Sequence, residues 1–551
     1  MDDISILIGG KAGDGIRIAA TMVARLFNRY GYRSFAYDDY PSLIRGGHNF
    51  SLVRVSREKI EANNIGIDLI VALDKQTVEK HISNLNEGGV ILFDSSKKIE
   101  TEGIGVPLKE IVEEMEGISI MRNSAALGAI AKVVGIDWEV VEEVFRKFLP
   151  KKTELNLKIA RKAYDTASSS KVEVENLEQE MMPIISANEA IGLGAIEAGM
   201  DSYYAYPMTP STGILHFMAA NRDRFNTLVV HPENEIAVIL MALGSAYTGA
   251  KTMVGTAGGG FSLMVEGFSL SAQSETPITV IVCQRPAPST GVPTYTMQSD
   301  LHFVLNAGHG EFPRFVVAPG DAEEAYYYTG VAMNVAWKCQ MASIVLSDKN
   351  LSEGNYSFDS SMYRVEEEEP ILWDGKGDYM RYKDSKNGVS PMAFPGDDSA
   401  IIKVTSYEHD QYGITTEESE KVAFMQQKRL RKKEAIKKQI ENVESVKTYG
   451  EDSGSDTVLI TWGSTKGACV EAANTLGLKV VQPIIMEPFP DLSGYIKDAK
   501  RIVTVEVNAT GQLARLLTNN GITVDQKVLK YDARPFFTDE LIERLRKEVI
   551  Q

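Results

Sequence analysis

Short apolar runs alternate with segments of helical spacing along most of the chain. "ISILIGG" is an apolar run ending in glycine, and "IRIAATMVARLFNRYG" behind it repeats apolar residues as an amphipathic helix does. "DLIVALD" and "GGVILFD" are apolar at consecutive positions, as strands of a parallel sheet buried on both faces require. Together these predict one α/β domain over residues 1–175, bounded by the polar stretch "YDTASSSKVEVENLEQE". A second α/β block over 182–348 contains "NTLVVHPENEIAVILMALGSAYTG", "KTMVGTAGGG" and "ITVIVCQRP". From Ile236 onward its small and apolar residues recur at helical spacing, which predicts a tightly packed, largely buried helix. Residues 349–455 are polar and irregular and end in "QQKRLRKKEAIKKQIENVESVK", read as a solvated, charged helix. A third α/β block, 456–551, opens with "DTVLITWGSTKGACVEAANTLG". The expected fold class is therefore multidomain α/β with three open sheets, and the lack of a short-period repeat argues against a solenoid.

Composition narrows the function. At 551 residues, 44% hydrophobic and 24% charged, the chain is an ordinary globular protein of several domains. No run approaches the roughly 18 apolar residues of a membrane span. The start "MDDISILIGG" is acidic and enters a strand directly, unlike a signal peptide. Cys283, Cys339 and Cys469 lie far apart with no CxxC spacing, so a reducing, cytoplasmic setting is expected. The same spacing argues against an iron–sulfur cluster or structural zinc held by this chain alone. A net charge of −17 speaks against nucleic acid as a partner.

Two glycine-rich stretches invite a phosphate reading. "GGKAGDGI" follows the first strand and precedes a helix, where free N–H groups attract phosphate. Gly10, Gly13 and Gly15, with Arg45 of "RGGHNFSLVRVS", form a possible phosphate or coenzyme A loop. Asp38 lies about 20 residues on, where a dinucleotide domain places its ribose acid. The glycines nonetheless run G-x-x-G-x-G, reversed from that fingerprint, so a nicotinamide dehydrogenase is a weak alternative. Gly13-Asp14-Gly15 also resembles the magnesium motif of thiamine enzymes, but "YDDYPSLI" stands where its asparagine should follow.

The middle block carries sharper chemistry. In "YPMTPST" two prolines bracket Met208 and Thr209, giving a stiff, hydroxyl-rich turn after a strand, with Ser211 or Thr212 as an ordinary N-cap. In "HPENEIA", Glu233 and Glu235 lie at the mouth of the small-residue helix, where a carboxylate is favoured by free N–H groups. An acid there can also lose its water and share a proton.

"YPMTPST", "HPENEIA", "GTAGGGFSLM", "QRPAPSTGVPT" and "HGEFPR" resemble the α subunit of 2-oxoacid:ferredoxin oxidoreductases, in the fused γ–α form of the 2-oxoglutarate synthases. "GGKAGDG" and "RGGHN" are similar to the γ portion, and "YEHDQYG" to the connecting segment. "WGSTKGACVEA", "PIIMEPFP", "VEVNATGQL" and "KYDARPF" are similar to the C-terminal, transketolase-C-like domain. The resemblance spans nearly the whole chain. It implies a γ-type α/β domain, then a domain for the aminopyrimidine of thiamine diphosphate, then the transketolase-C-like domain.

It further implies that Glu235 contacts the aminopyrimidine, with Glu233 as the competing assignment, and that Tyr206, Pro207, Gly259 and Gly260 line the cofactor. Thr209 and Arg285 would hold the substrate carboxylate. A β subunit would supply the diphosphate site with Mg2+ and a 4Fe–4S cluster, in an (αβ)2 assembly that reduces ferredoxin. The implied reaction takes a 2-oxoacid and coenzyme A to acyl-CoA, CO2 and reduced ferredoxin, with 2-oxoglutarate or a broad range favoured. A pyruvate- or indolepyruvate-specific member, or a non-catalytic assembly subunit, stays open. Met208 and Ala287 depart from the isoleucine and glycine common at those positions.

Overall fold

The computed structural model describes residues 3–42, 47–170, 172–450 and 454–550. The chain divides into two compact units. The first comprises Met1–Ser186 with Glu353–Asp359 and Phe536–Gln551, so its last piece comes from the far end of the sequence.

The first unit is built on an eight-stranded mixed sheet. Its strands, in spatial order, are Ile104–Val106, Leu85–Asp94, Ile67–Ala72, Asp3–Lys11, His48–Ser56, Arg33–Asp39, Asn355–Ser357 and Ile184–Ser186. The runs expected to be buried parallel strands are so: Ile67–Ala72 lies parallel to both Asp3–Lys11 and Leu85–Asp94. On its other side Asp3–Lys11 pairs antiparallel with His48–Ser56. Helix Ile16–Arg29 turns Ala19, Ala20, Val23, Leu26 and Phe27 inward, the spacing that predicted it.

This topology corrects one reading, the nicotinamide alternative. The stretch after "RGG" is a long antiparallel strand, His48–Ser56, whose valines and leucine pack in the sheet. The strand that follows the first helix, Arg33–Asp39, is not a neighbour of the first strand, as a dinucleotide-binding βαβ unit demands. Asp38 on that strand is buried and holds Ser51 and, at 3.1 Å, Arg17. The nicotinamide alternative therefore loses both its topology and its acid.

The second unit, Ala187–Ser352 with Ser360–Pro535, contains two sheets. One has the order Ile485–Glu487, Phe315–Val317, Ala342–Asp348, Ile278–Gln284, Thr252–Thr256, Ser202–Tyr204, Leu228–Val230, and all but the first strand run parallel. The other has the order Val446–Tyr449, Lys479–Pro483, Thr457–Thr461, Arg501–Glu506, Gln526–Leu529, parallel apart from its first strand.

The lysine-rich helix Ser419–Gln439 is not solvated on all sides. Met425, Lys428, Lys432, Ala435 and Ile436 share a buried face. Lys428 and Lys432 reach Glu275 at 2.9 and 2.6 Å, with all three side chains at most 2% exposed. Lys428 also donates to the carbonyl of Gly388, and Lys432 to that of Gln340. A buried charge is tolerated when it is paired and its hydrogen bonds are met, which a charge-run reading of sequence does not reveal.

Candidate active site

Four neighbouring parallel strands end at one edge of the seven-stranded sheet, and the residue types singled out above follow their C-terminal ends. Thr209 follows Ser202–Tyr204, Glu235 follows Leu228–Val230, Gly259 and Gly260 follow Thr252–Thr256, and Arg285 follows Ile278–Gln284. In open α/β sheets ligands bind in the crevice outside these ends.

Glu235 begins helix Glu235–Tyr247. Asn234 makes the start, its side chain accepting the Ala237 N–H at 2.9 Å. That cap leaves Glu235 free of the usual capping duty. It is only 4% exposed, and among the described residues its Oε1 has no hydrogen-bond partner. Glu233 is exposed, so burial separates the two glutamates. A Cβ placed on Gly260 would lie 2.7 Å from Glu235 Oε1 and 2.1 Å from Thr256 Oγ1. Glycine is thus the residue that lets the helix Gly258–Ser274 start beside the carboxylate.

The proline turn is tied down from three directions. Ser211 donates from Oγ to the Met208 carbonyl at 2.7 Å, Asn188 donates to the Pro210 carbonyl at 2.9 Å, and Arg285 donates to the Thr209 carbonyl at 2.8 Å. Ser211 occupies the N-cap position of helix Thr212–Phe225 but makes no side-chain cap, because its hydroxyl closes the turn instead. Arg285 and the Thr209 backbone are therefore in contact. Tyr206 and Pro207 are exposed, and Tyr206 meets His231 edge-on at 5.8 Å. Gly259, the second residue of helix Gly258–Ser274, is also exposed.

One neighbour escaped the sequence. Asp300 is 8% exposed, its Oδ2 has no hydrogen-bond partner among the described residues, and a Cβ on Gly258 would lie 2.4 Å from that oxygen. Burial pushes its carboxyl up to about 6, against the opposing pull of Arg285. Burial likewise lowers Arg285, with Asp300 acting against the shift.

The glycine loop of the first unit is arranged differently. Gly13 and Gly15 have φ of +94° and +74°. The loop closes on its own Asp14, whose Oδ2 accepts the Lys11 N–H at 3.0 Å and pairs with Arg122 at 2.7 Å. Asn123 holds the Asp14 carbonyl at 2.6 Å, and a Cβ on Gly10 would lie 2.9 Å from Asp14 Oδ2. Arg45 lies outside the described residues. Among the described residues, no three His, Cys, Asp or Glu side chains are grouped to hold a metal, and no helix is long and apolar enough to cross a membrane. The three cysteines are buried, and burial raises the Cys339 and Cys469 thiols to about 12.

The chain is similar to known proteins along its whole length. Residues 5–166 match the family model "Pyruvate ferredoxin/flavodoxin oxidoreductase", and residues 193–428 match "Pyruvate flavodoxin/ferredoxin oxidoreductase, thiamine diP-bdg". The 2-oxoacid:ferredoxin oxidoreductase subunit alpha of Saccharolobus solfataricus is 29% identical over 100% of this chain and 98% of its own length. The 2-oxoglutarate oxidoreductase subunit KorA of Mycobacterium tuberculosis is 26% identical over 98% of this chain and 91% of its own. A solved structure of 2-oxoglutarate:ferredoxin oxidoreductase from Magnetococcus marinus, with 2-oxoglutarate, coenzyme A and succinyl-CoA bound, superposes with a TM-score of 0.90 at 28% identity, covering all of both chains. With both oxidoreductase domains in order and α-subunit relatives matched end to end, the chain belongs to the 2-oxoacid:ferredoxin oxidoreductase family.

Proposed function

We propose that this chain is the α subunit of a thiamine diphosphate-dependent enzyme that oxidatively decarboxylates 2-oxoglutarate or a broad range of 2-oxoacids. Coenzyme A takes the acyl group, and ferredoxin takes the electrons. The observation that carries the reading is Glu235 Oε1, a buried acceptor with no hydrogen-bond partner among the described residues, packed against Gly260 where a side chain would not fit.

Those residues fit an aminopyrimidine. Glu235 would hold a ring nitrogen through a shared proton, Gly259 would leave room for the ring while Gly260 lets the helix start sit against the carboxylate, and Tyr206 with Pro207 would wall its outer side. Thiamine diphosphate, when bound, supplies the electron sink that loss of CO2 from a 2-oxoacid requires. Arg285 offers the substrate carboxylate two parallel N–H donors, and Thr209 adds a hydroxyl on the turn whose carbonyl Arg285 already grips. That contact sets the clamp before substrate arrives, so less ordering entropy is lost on binding.

A β subunit carrying the Mg2+–diphosphate site and a 4Fe–4S cluster would complete the centre in an (αβ)2 assembly. Ile236, Leu240 and Met241 on the helix led by Glu235, and Leu263 on the helix led by Gly258, are exposed apolar residues that such a partner would cover. For coenzyme A phosphates the loop of Gly10, Gly13, Gly15 and Arg45 is the proposed holder. An incoming phosphate there has to displace Asp14 from the Lys11 amide and from Arg122.

Copurification with the β subunit, followed by assays of several 2-oxoacids with ferredoxin or a viologen dye, tests the reading. A Glu235→Gln complex should assemble and lose most turnover, whereas full activity rejects the role. A wild-type complex inactive with every 2-oxoacid would favour an assembly subunit.

A further inference from the structure

Helices Glu235–Tyr247 and Gly258–Ser274 run side by side, and glycine lets them touch twice. A Cβ on Gly260 would lie 2.7 Å from Glu235 Oε1, and one on Gly267 would lie 2.5 Å from Ile239. The outer faces of the pair therefore make one surface. Ile236 and Leu240 are exposed on the first helix, Leu263 and Glu266 on the second, at the spacings that keep residues on one face. Further along, that surface opens into a cavity of about 340 Å³. Leu240, Leu270 and Phe312 supply its apolar wall, and Glu266 and Glu311 bring carboxylates to it.

The other charged and amide groups of the wall are already used. Arg429 donates to both carboxylate oxygens of Glu408 and, at 2.9 Å, to Gln426 Oε1. Gln426 donates to the Glu311 carbonyl at 2.8 Å, and Gln273 to the Tyr407 carbonyl at 3.1 Å. Glu266 and Glu311 are exposed, and among the described residues neither carboxylate has an ion pair or a hydrogen bond. The cavity thus offers negative charge beside an apolar wall. A long cationic side chain matches both, its stem on carbon and its head on carboxylate.

The rim beside the cavity is rigid. Ser406 belongs to the lining, and Tyr407, Tyr412 and Ile414 just after it are exposed. Asp410 Oδ1 accepts the N–H groups of Tyr412 at 2.9 Å and Ile414 at 3.0 Å, and Tyr382 donates its N–H to the Gln411 carbonyl at 2.9 Å. Exposed aromatic residues on a turn that is already ordered cost little to bury against a partner.

We propose, resting on the α-subunit reading above, that this cavity is an anchor pocket for the β subunit. An arginine of the partner lays its stem on Leu240, Leu270 and Phe312 and sets its guanidinium against Glu266 and Glu311. Charge and continuity select this occupant. The two carboxylates call for a cation, whereas a second copy of this chain brings a net charge of −17. Leu240 is shared with the apolar strip that starts beside Glu235, where a chain carrying the Mg2+–diphosphate site has to approach. From Gly258 to Leu270 is about 18 Å along the helix, within the span of one ordinary interface.

Exchange of labelled β subunit into the preformed αβ complex reads the dissociation rate however tight the complex is. Glu266→Lys with Glu311→Lys should raise that rate about a hundredfold or prevent assembly, and Glu266→Gln with Glu311→Gln should raise it about tenfold. Because neither carboxylate has a partner in this chain, the melting temperature of each variant chain alone should stay within about 2 °C of the wild type. Glu87→Lys with Glu102→Lys makes the same change in net charge elsewhere and should leave the rate within about twofold. An unchanged rate in Glu266→Lys with Glu311→Lys, or an equal rise in the Glu87 and Glu102 pair, overturns the pocket and leaves the α-subunit reading intact. Loss of self-association with normal β binding assigns the cavity to a second copy and also overturns it. A wild-type chain that never binds the β subunit overturns the α-subunit reading and this inference with it.

Discussion

At the two ends of helix Gly258–Ser274 the chain buries carboxylates in opposite ways. At the N-terminal end, Glu235 and Asp300 each keep an oxygen that no described residue hydrogen-bonds. Just past the C-terminal end, Glu275 is gripped by Lys428 and Lys432, and Arg381 donates to its backbone carbonyl at 2.6 Å. The helix dipole sharpens the contrast. It favours an anion at the first end and opposes one at the second, so Glu275 needs its lysines where the other two acids can do without them. A buried carboxylate whose bonds are all met serves the fold. One that keeps a lone pair in reserve is available to a ligand.

Exchanging charge at each end should separate the two roles. Glu235→Gln removes a group with no partner to lose, so thermal stability should change little while kcat falls by about 10²–10⁴-fold, the range for proton-handling side chains. Stopped assays alongside a melting curve check both halves. Glu275→Gln should do the reverse. It strands two buried ammonium groups and should cost about 3–5 kcal/mol in urea unfolding, as breaking buried pairs does.

The pH profile carries the same signature. Burial opposes ionisation of Glu275, but Lys428, Lys432 and Arg381 outweigh it and hold the carboxyl well below the ordinary range. An acid whose folded pKa is lowered contributes stability above its unfolded value, near 4.5, and loses it as pH falls further. Lys432 works from the other side. Burial lowers it to about 7, so the unfolded chain binds more protons between about 7 and 10.5, and stability rises with pH there. Melting temperatures across pH 3–9 should show both arms in the wild type. Glu275→Gln should lose the acid arm.

How much of this was legible follows from where the information is local. Apolar runs such as "DLIVALD" and "GGVILFD" announced parallel strands because burial on both faces leaves no polar alternation. Glu235 and Glu233 were both visible, but only the fold buries one and exposes the other. Lys428 and Lys432 were hidden by their own chemistry, since their partner Glu275 lies far away in sequence. Asp300 was hidden because Ser-Asp before an apolar run reads as an N-cap, and the side chain's refusal to cap is a three-dimensional fact. The placement of Phe536–Gln551 in the first unit depends on long-range packing that no local pattern encodes.

Two glycine substitutions carry the comparison down to single methyl groups. Gly260→Ala adds a good helix former, which by propensity alone should help by about 1 kcal/mol. Its methyl, however, needs space held by Thr256 and Glu235, so the carboxylate must move. Displacing a reacting group by about 1 Å costs on the order of 10²-fold, so kcat should fall by that factor in a protein no less folded. Gly13→Ala should have a smaller and different effect. Nothing lies within 4 Å of its added Cβ, yet its φ is +94°, so the cost is backbone strain of about 1–2 kcal/mol, read as a lower urea midpoint for the first unit. If Gly13→Ala instead raised KM for coenzyme A more than tenfold at unchanged stability, the loop would belong with the ligand-facing end of the contrast despite Asp14 filling it.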